Sequence, residues 1–198
     1  MKLVLFDFDG VLVDTLIMNY EISKEINTDL SLDHFKSLFN GNIYQTLEKN
    51  SVVKQHPRFF ERYEEKSREL IVPDVLKEII DQLSKKYTLS IVTATPSPLT
   101  LKILKQANAQ DYFSDIYGGD IHRSKVYKIK ALLEKYKIEP EEAVYITDTT
   151  GDINEARECG VKSIAVTWGF QDEKTLLKAK PAKIISNPMD LINAIETI

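Results

Sequence analysis

The chain alternates short apolar runs with longer amphipathic stretches, and that alternation predicts most of its elements. Leu3-Val4-Leu5-Phe6 is a compact apolar run that ends abruptly at Asp7. Such a run is too short to cross a membrane or to serve as an export signal, and it reads as a buried strand. Similar strands are predicted at Tyr87 to Thr93, Asp115 to Tyr117, Ala143 to Thr147 and Lys162 to Val166. Between them lie helical patterns. Pro73 opens one whose apolar residues Val75, Leu76, Ile79, Ile80 and Leu83 share one helical face. Others cover Leu99 to Ala107, Ile129 to Tyr136 and Ile153 to Glu158.

Residues 15–71 differ from the rest: they are charged, carry helical periods and contain no convincing strand. Helices are expected from Ile17, after an N-cap at Ser31, over Ile43 to Lys49, and from Pro57 through Leu70, with a break at Asn40-Gly41-Asn42. The remainder, 1–14 with 72–198, repeats strand and helix. Repeated β-α units imply an α/β fold, a Rossmann-like parallel sheet core flanked by helices, here with a small helical segment inserted after the first strand. Ligands of such sheets lie beyond the carboxyl ends of the strands.

The residues with chemistry to offer fall at those ends. Asp7 and Asp9 alternate with Phe8, so on a strand they share a side, and Gly10 permits a sharp turn directly after them. Two carboxylates so close repel each other unless a cation or a shared proton offsets the charge. A second acidic pair, Asp148 and Asp152, follows the strand Val144 to Thr147 at a spacing that brings both to one side of a helix. Thr93 ends another strand, where a small hydroxyl donor reaches an oxyanion without crowding it. Lys125 stands at a loop-to-helix junction and could offset nearby acids; Lys128, one turn on, is its rival.

Bulk composition narrows the classes of partner. The chain has 198 residues, 43% hydrophobic and 28% charged, with a net charge of -4. It is large enough for a proper core, and no basic stripe favours nucleic acid. No transmembrane stretch, repeat or low-complexity tract is visible, and the single Cys159 cannot form an internal disulfide, so the expected location is the cytoplasm.

Asp7-Phe8-Asp9-Gly10-Val11-Leu12-Val13-Asp14-Thr15 resembles the first motif of the haloacid dehalogenase superfamily, most of whose members are magnesium-dependent phosphatases. Thr93 is similar to the second motif, Lys125 to the third, and Asp148 to Asp152 to the fourth, in family order over nearly the whole chain. The resemblance implies that Asp7 attacks phosphorus and Asp9 protonates the leaving group. It further implies that Thr93 and Lys125 hold the phosphoryl oxygens, and that Phe8, Gly10 and Ala94 sit beside the substrate. Mg²⁺ would be bound by the Asp7 side chain, the Asp9 carbonyl and Asp148, with Asp152 in support. Haloalkanoate dehalogenases of the superfamily lack the second Asp, so Asp9 favours phosphoryl chemistry.

The inserted helices would then be a cap over the site, and the substrate a small phosphorylated metabolite. A phosphomutase and a non-catalytic binding protein of the same fold are the rival functions. Two positions depart from the family form: Val126 replaces the proline after the lysine, and Thr147 replaces the glycine before Asp148. The loop Trp168-Gly169-Phe170 is similar to one bordering the site in phosphoglycolate-phosphatase-like members, although packing explains it equally well. His34, His56 and His122 share no metal-ligand spacing, and Cys159 reads as a small buried filler.

Overall fold

Strand β1 (Leu3–Phe6) is buried along its whole length because it lies between two others in a computed structural model describing residues 1–198. On one side it pairs with β2 (Thr88–Val92), and on the other with β4 (Ala143–Thr147). The six-stranded sheet has the order β3-β2-β1-β4-β5-β6, with β3 at Asp115–Tyr117, β5 at Lys162–Val166 and β6 at Lys183–Ile185. All five pairings are parallel. The chain builds outward from β1 to β3, then returns to the other side of β1. That reversal, between β1 and β4, is where such a sheet opens a crevice. Phe6 is in register with both Ile91 and Ile146, so Asp7, Thr93 and Asp148 emerge at nearly the same level.

The strand pleat divides the core. Val4 and Phe6 join Leu76, Ile79, Ile80 and Leu83 of α5 (Asp74–Ser84) and Leu191 and Ile195 of α10 (Leu191–Glu196). Leu3 and Leu5 face the other way, against Ile129 and Leu132 of α7 (Lys125–Tyr136) and Ala156 of α8 (Thr150–Glu158). Alternation on a two-residue period with apolar residues on both faces is what a central parallel strand requires. Truncating Leu5 to alanine would cost about 2–5 kcal/mol through lost transfer energy and the cavity left behind.

Between β1 and α5 the chain has helices joined by loops and no strand. It forms α1 (Leu16–Lys24), α2 (Leu32–Ser37), α3 (Ile43–Lys49) and α4 (Phe59–Lys66), with 3₁₀ turns at Leu38–Asn40 and Ser67–Glu69. Ser31 caps α2 by accepting the His34 N–H at 3.2 Å. Helix α4 starts two residues later than Pro57 suggests, and its last turn tightens to 3₁₀ before Leu70. Leu30, Phe35, Leu38 and Val53 give the insertion its own small core, into which Phe170 of the α/β part inserts. Conversely, Ile22 and Tyr63 belong to the main core, so the two parts share packing.

β6 and α10 extend the alternation beyond the last strand read from the sequence. With three residues and an edge position, β6 is too short for a periodic signal.

Candidate active site

Lys125, the first residue of α7, sits at the centre of the crevice. Its Nζ lies 2.9 Å from Asp7 Oδ2 and 2.6 Å from Asp152 Oδ2, and donates to the Tyr145 hydroxyl at 2.9 Å. Ser124 fixes the start of the helix by accepting the Tyr127 N–H, and Glu155 accepts the Lys125 N–H at 2.9 Å, so the side chain enters the crevice from a rigid base. Burial alone would favour the neutral amine. The carboxylates of Asp152 and Asp7 outweigh it and hold the ammonium above the ordinary lysine range.

The acids divide into two kinds. Burial is the largest influence on Asp7 and raises it well above a free carboxyl, with Lys125 opposing and Asp152 adding to the rise. Asp148, also chiefly through burial, is pushed up to about 7, against the stabilising Phe170 N–H. Asp152 is buried too, but Lys125 and hydrogen bonds from its neighbours more than compensate, and it lies below its usual range. Its Oδ2 accepts from Thr147 at 2.8 Å, so the threonine that departs from the family pattern supplies a donor at the second acid of the pair.

Asp9 is surrounded by hydroxyls. Oδ1 accepts from Thr15 at 2.8 Å and Tyr63 at 2.7 Å, and Oδ2 accepts from Thr95 at 2.6 Å. A tight turn sets it there, closed by Gly10 N–H to the Val13 carbonyl at 2.8 Å. Gly10 takes φ +77°, and a Cβ on it would come within 2.1 Å of Asp148 Oδ2. Both its conformation and its contact demand glycine.

Asp148 is the atomic clue to a cation. Oδ2 accepts the Phe170 N–H at 2.7 Å, yet Oδ1 is buried with no partner at all. An unpaired buried carboxylate oxygen is costly. No three Asp, Glu, His or Cys side chains converge into a closed ligand shell. The orphaned Oδ1 is the kind of atom that a hard cation could satisfy, alongside the neighbouring Asp7.

Lys125 and Lys128 have separate surroundings. Lys128 is fully buried, and its Nζ donates to the carbonyls of Thr93 and Gly118, beneath the loop that follows β2 rather than among the acids. Thr93 is also buried, and its Oγ1 accepts the Thr95 N–H at 3.1 Å. Ala94 faces the cavity, its carbonyl accepting from Tyr44 of α3 at 2.7 Å.

Phe8 and Gly10 are not among the residues that line the cavity. The Phe8 ring belongs to the core, its N–H is taken by Asp7 Oδ1 at 2.8 Å, and Gly10 packs against Asp148 and Phe170. Asp7, Asp9, Thr93, Lys125, Asp148 and Asp152 all line one cavity of about 110 Å³ roofed by the insertion. Of the histidines, His56 pairs with Glu25 and His122 stacks on Tyr127; Cys159 is buried.

Tyr63, Thr95 and Asn19 are the site residues that motif reading missed. Thr95 carried a faint signal, two residues beyond Thr93 on the same loop. Tyr63 and Asn19 lie inside helices, where nothing in the sequence separates them from ordinary packing residues.

The model of the haloacid dehalogenase-like hydrolase family matches residues 4–166. The chain is similar to a phosphoglycolate phosphatase of Synechococcus elongatus, 25% identical with 98% of this chain and 97% of the relative covered. It is also similar to one of Aquifex aeolicus, 27% identical with 99% and 97% covered. Among solved structures, a haloacid dehalogenase-like hydrolase of Streptococcus pneumoniae superposes with a TM-score of 0.75 at 23% identity, covering 98% of each chain. CbbY of Rhodobacter sphaeroides, solved with phosphate, gives 0.77 at 18% identity, covering 96% of each. At those identities the structures speak for the fold alone.

Proposed function

The chain belongs to the haloacid dehalogenase-like hydrolase family, and from that premise we propose that it is a magnesium-dependent phosphatase of a small phosphomonoester, working through an aspartyl-phosphate. The observation that carries the reading is Lys125 Nζ held between Asp7 and Asp152, on the same cavity as Asp9 and Asp148. A scaffold protein has little use for four buried or half-buried acids on one cavity, since each ion costs desolvation.

An oxygen of the Asp7 carboxylate attacks phosphorus in line, and the bond to the leaving oxygen breaks as Asp9 gives that oxygen a proton. Water then attacks the phosphorus of the acyl phosphate. Asp9 takes its proton, inorganic phosphate leaves and Asp7 is restored. Thr15, Tyr63 and Thr95 fix the Asp9 carboxyl in place through both steps. Lys125 offsets the charge of the attacking carboxylate and of the phosphoryl oxygens, while Thr147 keeps Asp152 aimed at it. Asp7, the Asp9 carbonyl and Asp148 would hold the Mg²⁺, which when bound neutralises charge between carboxylate and phosphate. Helices of residues 15–71 act as the cap that keeps bulk water out.

Purified protein incubated with p-nitrophenyl phosphate and a panel of metabolite monoesters should release phosphate with magnesium and not without it. No release from any substrate, with or without the metal, would overturn the reading.

A further inference from the structure

Lys128 is a buried cation that the proposed reaction leaves unused. It follows Lys125 on α7, has no exposed surface, pairs with no carboxylate and does not line the cavity. Burying an ammonium costs desolvation that an apolar side chain of similar length avoids. Burial accordingly pushes this one down to about 7. Its Nζ donates instead to two main-chain carbonyls from different loops: that of Thr93, just past β2, and that of Gly118, just past β3, at 3.4 Å.

The Thr93 contact fixes more than a carbonyl. The peptide linking Thr93 to Ala94 is trans and planar, so its N–H points opposite to its C=O. With the oxygen held on Lys128, the Ala94 N–H is turned away from that lysine. The other backbone donors of this loop are committed: Thr93 N–H goes to the Tyr117 carbonyl at 3.1 Å, and Thr95 N–H to Thr93 Oγ1 at 3.1 Å. Ala94 N–H has no partner in the protein, and Ala94 is only half-buried, on the wall of the cavity that Asp7 and Lys125 share. Its own carbonyl is taken by Tyr44 at 2.7 Å, so the N–H is what this residue still offers a ligand. A free backbone donor with a fixed direction suits an anionic oxygen.

We propose that Lys128 is a positioning residue: from behind the loop it holds the Thr93 carbonyl, so that the Ala94 N–H faces the cavity as a donor to a phosphoryl oxygen. The inference takes its ligand from the phosphatase reading and deepens it. Because this donor addresses the phosphoryl group and not the alcohol, losing it should weaken every phosphate ligand alike.

Calorimetric titration of inorganic phosphate with magnesium present, together with amide NMR spectra, tests this without turnover. In the parent the Ala94 amide resonance should shift as phosphate binds. In Lys128→Met the phosphate Kd should rise about tenfold or more, as expected for one hydrogen bond to a charged acceptor, and the Ala94 shift should shrink. KM for p-nitrophenyl phosphate and for an alkyl phosphate should rise by a common factor. The melting temperature near pH 6, where the parent buries a charged ammonium, should not be lowered. Lys128→Gln, a polar replacement on a shorter arm, should repeat the loss and carries the test if the methionine variant does not fold. An unchanged phosphate Kd, an Ala94 resonance indifferent to phosphate in the parent, or an affinity lost only in step with a lower melting temperature in both variants overturns the inference and leaves the phosphatase reading standing. The expected phosphate binding without turnover of any monoester overturns the phosphatase reading alone. No phosphate binding by the parent and no turnover overturn both.

Discussion

The hydroxyl of Tyr63 donates to Asp9 Oδ1 at 2.7 Å, joining the last helix of the insertion to a residue 54 positions earlier in the chain. Tyr63 is fully buried and belongs to the main core. The hydrogen bond therefore ties helix α4 to the aim of the proposed acid.

Tyr63→Phe keeps the ring beside Phe59 and removes only the donor. Leaving one acceptor site of Asp9 without its donor should cost about 1–3 kcal/mol, so kcat/KM on an alkyl phosphate should fall between about fivefold and a hundredfold. Steady-state kinetics and a thermal melt on the same preparation separate the roles. A lower melting temperature with unchanged kcat/KM would make Tyr63 a packing residue and nothing more.

Asp9→Asn removes the transferable proton while Thr15 and Thr95 can still orient the side chain. Hydrolysis of alkyl phosphates should drop by about 10²–10⁴, the usual worth of general acid–base catalysis. An aryl phosphate, whose leaving group departs without protonation, should lose far less in the first step. Equal losses on both substrates in single-turnover experiments would take the acid role away from Asp9.

How much of this site a reader could find beforehand depended on where each residue sits. Asp7, Asp9, Thr93 and Asp148 end or follow apolar runs, and a buried strand that stops at a polar residue marks the crevice of a parallel sheet. Lys125 and Lys128 were harder to tell apart, because residues three apart lie on the same helical face. Only the tertiary contacts separate them, one among carboxylates and the other under carbonyls. Tyr63 and Asn19 left no trace in the pattern, since a polar tip on a helix looks like any boundary residue. The edge strand β6 was lost for want of length.

Thr147 shows how a departure from a family pattern can be absorbed. Its Oγ1 donates to Asp152 Oδ2 at 2.8 Å, within a strand whose residues are all buried. Thr147→Gly, the usual family form, gives up that donor and adds backbone freedom to the unfolded chain. Together these should cost roughly 1–3 kcal/mol in urea unfolding. A variant as stable as the parent would show that the hydroxyl contributes nothing to holding Asp152.

Lys128 links stability to pH. Burial lowers it to about 7, so between that value and the unfolded lysine's 10.5 the native state binds fewer protons than the unfolded chain. Stability contributed at this position must therefore rise with pH across the window. Relative to Lys128→Met, the parent should be weakest near pH 6 and gain steadily toward pH 9.5 in denaturant titrations. A difference between the two proteins that is flat with pH would mean the ammonium keeps its charge throughout.

The unpartnered Oδ1 of Asp148 carries the last prediction, which needs no turnover to read. A ligand that binds only the native state stabilises it by about 2.7 kcal/mol when present at about 100 times its Kd. For a chain of this size that corresponds to a rise of roughly 5–10 °C in melting temperature. Magnesium should produce such a rise in the parent protein, and chelation should reverse it and stop phosphate release. In Asp148→Asn the shape of the side chain is kept and the charge removed, so the melting temperature should no longer respond to magnesium. If that variant is stabilised as much as the parent, the ion sits elsewhere. Asp148 would then be a buried acid held only by the Phe170 N–H.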